Sequence, residues 1–167
     1  ILAALLGDPR NASLASRRFV LVRLRLHTYH FPARGPAAGE DPLEKLGTSR
    51  ENCRAPALIF SSPDGKLLHH VERMGVFSPT WFRAACVALL EKHPDLAGLD
   101  ERAEAALVAA AAKPADDSLK RLRIEELIAC GEDSRALASM ESESGAWAPV
   151  ARAELRLLRG EVQEALK

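Results

Sequence analysis

The sequence predicts an α/β domain with an incomplete mixed sheet over residues 1–96, followed by an all-α extension of helical hairpins over residues 97–167. Three observations carry this expectation. Phe19–Leu26 is an apolar run that ends in alternation with Arg23 and Arg25, the pattern of a strand buried on both faces at one end. Residues 57–61 and 66–72 are two further strand-like runs around Ser62-Pro63-Asp64-Gly65, a strong turn sequence, and so form a β-hairpin. Beyond His93–Gly98 the composition changes: 17 of the last 71 residues are Ala, and Trp147 is the single aromatic there.

The elements follow in order. Ile1–Leu6 is short and apolar, with no basic region before it, and reads as an amphipathic helical segment rather than the end of a signal peptide. Asp8-Pro9 supplies an N-cap and a proline at the first helical position, so a short helix runs on to about Ser16. The strand over Phe19–Leu26 comes next. Residues 27–40 hold Pro32, Gly35, Pro36 and Gly39 and form a loop, and Asp41-Pro42 opens a short helix closed by Gly47. The first strand and the one at 57–61 are joined by a long crossover, which makes them parallel. Ser78-Pro79 caps a helix that runs to about Lys92 and stops before Pro94, with Phe82, Cys86, Leu89 and Leu90 on one face.

After Gly98 the pattern is helical throughout. Helices are expected over Glu101–Lys113, Asp117–Cys130, Asp133–Ser142, Trp147–Arg159 and from Glu161 onward. Two turns resemble each other. Gly131 and Gly160 lie 29 residues apart, and in both cases an Ala-Leu pair (Ala136-Leu137, Ala165-Leu166) begins five residues later. A glycine between helices, with small residues packing across the hairpin, resembles the tetratricopeptide type of repeat. An Ala-rich bundle without a repeat fits the same residues.

Charge narrows the function classes. The 167 residues carry 23 basic and 23 acidic side chains, which argues against non-specific nucleic-acid binding and against a strongly cationic membrane-surface protein. The halves differ in sign: residues 1–96 hold 13 basic and 9 acidic groups, residues 97–167 hold 10 and 14. No apolar run reaches the length of roughly 18 residues that spans a membrane. Cys53, Cys86 and Cys130 are odd in number and widely spaced, neither a disulfide framework nor a zinc pattern, and they select no redox compartment or cellular location. Asn11-Ala12-Ser13 matches a glycosylation sequon. His27 and His30 lack a third metal ligand at convincing spacing, and His69 and His70 face opposite sides of a strand, so no metal is expected. Asp116-Asp117 and Glu125-Glu126 are adjacent, not convergent, and read as caps or solvated faces. No phosphate loop or hydrolase motif occurs, and no cofactor is implied.

The block Ala55-Pro56-Ala-Leu-Ile-Phe-Ser-Ser-Pro-Asp-Gly-Lys-Leu-Leu, with Asp8-Pro9 through Phe19–Leu24 before it and the helix over 78–93 after it, resembles the thioredoxin family over residues 1–94. The resemblance implies a cis peptide before Pro56, with Ala55 and Pro56 meeting an extended thiol partner; a trans proline at the start of a strand is the alternative. It also implies a Cys-x-x-Cys and a central strand that would lie upstream of Ile1. The chain starts at Ile and stops inside an apparent helix, as a fragment or processed product would. Cys53, three residues before Pro56, is the candidate redox thiol, although an ordinary loop thiol fits equally. Two functions follow: a thiol–disulfide protein with its motif upstream, or a non-catalytic thioredoxin-like domain fused to a helical module that binds or assembles protein partners.

Overall fold

The computed structural model describes residues 2–22, 58–71, 78–96 and 98–165. It is mostly helical, with one small two-stranded antiparallel sheet among the described residues. The chain divides into two compact units, Ile1–Leu21 with Phe77–Lys167, and Val22–Val76. The composition shift near His93–Gly98 falls inside the first of these.

The helical unit begins with α1 (Leu2–Leu5) and α2 (Pro9–Arg18). The Asp8 carboxylate accepts the Arg10 backbone N–H at 2.8 Å, satisfying one free donor of the first turn, and Pro9 needs none. Asn11, Leu14 and Ala15 form the buried face of α2, and Arg17 and Arg18 sit in its last turn, where the helix dipole favours cations. Phe19 ends the helix with extended backbone. Phe19–Val22, the first half of the expected strand, form neither strand nor helix; the remainder of that strand lies outside the described residues. So do the loop at 27–40, the helix at 43–46, and Cys53, Ala55 and Pro56.

α3 (Pro79–Lys92) starts at Ser78, whose hydroxyl accepts the Trp81 N–H at 3.0 Å. The expected apolar face is buried: Phe82, Cys86, Leu89 and Leu90 all lie in the core. The helix stops at His93 because Pro94 disfavours helical backbone in the residue before it. α4 (Glu101–Ala112) is capped by Asp100 and buries Ala103, Ala106 and Ala110, a small-residue stripe that lets α5 approach closely. α5 (Asp117–Ala129) is capped by Asp116. α6 (Asp133–Glu141), α7 (Trp147–Leu158) and α8 (Val162–Ala165) follow, each packed against the helix before it in the chain. The core gathers Ile124, Leu127 and Ile128 of α5, Ala136 and Met140 of α6, and Leu155 and Leu158 of α7. α2 packs on α5, and α3 on α7.

In the second unit, β1 (Leu58–Ser61) and β2 (Leu67–Val71) pair antiparallel, as the hairpin sequence predicts. The turn closes through Gly65 N–H to the Ser62 carbonyl at 2.9 Å, with Gly65 at φ +86°, a conformation glycine adopts without penalty. The register slips between Phe60 and Ser61, a bulge that leaves Leu68 without an opposite residue. His69 is exposed and stacks on Phe60, while its neighbour His70 is half-buried, consistent with opposite faces of the strand. Among the described residues no helix is long and apolar enough to cross a membrane.

Candidate functional site: two glycine turns

The turns at Gly131 and Gly160 are built alike. Gly131 has φ +83° and Gly160 has φ +82°. Gly131 N–H donates to the Ile128 carbonyl (3.2 Å) and Glu132 N–H to the Leu127 carbonyl (2.9 Å). Gly160 N–H donates to the Leu157 carbonyl (3.0 Å) and Glu161 N–H to the Arg156 carbonyl (2.8 Å). Both are the paired-hydrogen-bond C-cap that a left-handed glycine makes possible. The next helix also starts alike, Ala136 N–H on the Glu132 carbonyl (2.9 Å) and Ala165 N–H on the Glu161 carbonyl (3.0 Å). The 29-residue spacing seen in the sequence is therefore a repeat of backbone geometry.

Their surroundings differ. At the first turn, a Cβ on Gly131 would stand 2.7 Å from Leu14 Cδ1 and 3.0 Å from Leu90 Cδ1, so α2 and α3 each press a leucine onto the glycine. Each also sends an arginine to a carbonyl of the last turn of α5. Arg18 Nε donates to the Cys130 carbonyl at 2.7 Å, and an Arg83 terminal N–H to the Ile128 carbonyl at 2.7 Å. Arg83 also grips Asp133 with two N–H groups, Nε at 2.9 Å, and both side chains are wholly buried. This is a planar, bidentate pairing of the kind only arginine makes. At the second turn, among the described residues, Gly160 meets only the Thr80 methyl, 3.1 Å from where a Cβ would be. Position by position, Ile128 is 7% exposed and its counterpart Leu157 is 47%, while Asp133 is 0% and Val162 is 51% exposed.

A second arginine contact fixes α2 to the array. Arg17 Nε donates to Asp100 at 2.6 Å, and another N–H of the same guanidinium to Glu126 at 2.8 Å, joining α2, the α4 N-cap and α5. The Arg17 hydrogen bond holds the Asp100 carboxyl down at about 2. The hydrogen bond to Asp100 in turn raises the Arg17 pKa above its ordinary value. Farther along the array, Glu143 accepts from Lys120 (2.8 Å) and Arg123 (3.1 Å) of α5, and Arg121 lies 5.2 Å over the Trp147 ring.

Of the sequence-predicted site residues, Cys53, Ala55 and Pro56 lie outside the described residues. Cys86 and Cys130 are buried packing residues. Burial pushes the Cys86 thiol up to about 12 and raises the Cys130 thiol as well, so neither supplies a thiolate nucleophile at neutral pH. Asn11 of the sequon is wholly buried, its amide donating to the Pro79 carbonyl at 2.8 Å, and no glycan fits there in the folded chain. Among the described residues no three of His, Cys, Asp and Glu converge to hold a metal ion. Sequence reasoning missed the arginines. Arg83 carried a readable signal, since it shares the i, i+3, i+4, i+7 stripe with Cys86, Val87 and Leu90, where a charge needs a buried partner. No family model, curated protein or solved structure matches the chain.

Proposed function

We propose that the chain is a protein-binding or assembly module in which helical hairpins form the binding scaffold and the thioredoxin-like segment is non-catalytic. The supporting observation is the glycine turn repeated with one hydrogen-bond pattern in consecutive hairpins and flanked by more exposed apolar residues in the second. Stacked hairpins of this kind present extended surfaces to partners, because each repeat contacts chiefly its neighbours. The 29-residue period is shorter than the ~34 residues of a tetratricopeptide unit, so the hairpins belong to that general type of repeat and not to its standard length. The thiol–disulfide reading rests on Cys53, Pro56 and a motif upstream of Ile1, and the two described thiols lend it nothing.

The two readings separate in one pair of measurements. In insulin reduction by dithiothreitol, the purified chain is expected to leave the uncatalysed rate unchanged. A complex purified from the native cells is expected to hold its partner at fixed stoichiometry through gel filtration, and to do so equally with Cys53→Ser. Acceleration of insulin reduction that Cys53→Ser abolishes would overturn the binding-module reading.

A further inference from the structure

We draw no further inference here: the strongest candidate, the exposed apolar face that Leu157 and Val162 present at the α7–α8 turn, carries nothing, because nothing in the structure shows what covers it.

Discussion

The turn at Gly131 and the turn at Gly160 share a glycine, a following glutamate, an Ala-Leu step and the same backbone hydrogen bonds, yet one is sealed and the other open. The shared residues are those that local geometry requires: a left-handed C′ position admits glycine at little cost, and most other residues only with strain. The residues that differ are those that meet a neighbour. Cys130 becomes Arg159, and Asp133, which answers Arg83, becomes Val162. Backbone chemistry built the turn twice, while tertiary packing chose the side chains around it separately each time.

Breaking the sealed turn has the larger expected effect. Asp133→Ala leaves the Arg83 guanidinium buried without its carboxylate, and is expected to cost about 3–5 kcal/mol in urea denaturation. Val162→Ala at the open counterpart is expected to stay within about 0.5 kcal/mol. A comparable loss at both positions contradicts the difference in cover. A smaller effect tests the Arg17 contact. Asp100 titrates at about 2 in the folded chain and near 4 when unfolded, so its stabilisation is complete above about pH 4 and fades as the pH falls toward 2. Asp100→Asn keeps a good N-cap but removes this charge, and its stability is expected to fall less steeply over that acid range. An unchanged slope shows that Arg17 contributes nothing through Asp100.

The parts of the fold legible in the sequence are those fixed by neighbours in the chain. Asp8-Pro9, Ser78-Pro79 and the two glycines set helix ends through bonds spanning a few residues, and the helices begin and end within about two residues of the expected positions. The hairpin was legible for the same reason, since Ser62 and Gly65 close it locally. Phe19–Val22 show the limit. Their apolar run suits a strand, but a strand also needs a partner edge, which local pattern does not specify. The candidate site was half legible. The glycine spacing was visible, but the clamp joining Arg83 to Asp133 spans 50 residues of chain, and Arg18 reaches the Cys130 carbonyl across 112. Of these contacts only the stripe position of Arg83 left a trace in the sequence.

The most direct test of the account compares Gly131→Ala with Gly160→Ala by chemical denaturation. Both variants bear the cost of a side chain in left-handed backbone, roughly 1–2 kcal/mol. Only at Gly131 does the new methyl meet two packed leucines, at 2.7 and 3.0 Å, which adds overpacking of about 1–3 kcal/mol. The account predicts that Gly131→Ala is the more destabilised of the two by at least about 1 kcal/mol. Equal losses at the two glycines would contradict it, because they would mean that α2 and α3 do not seal the first turn.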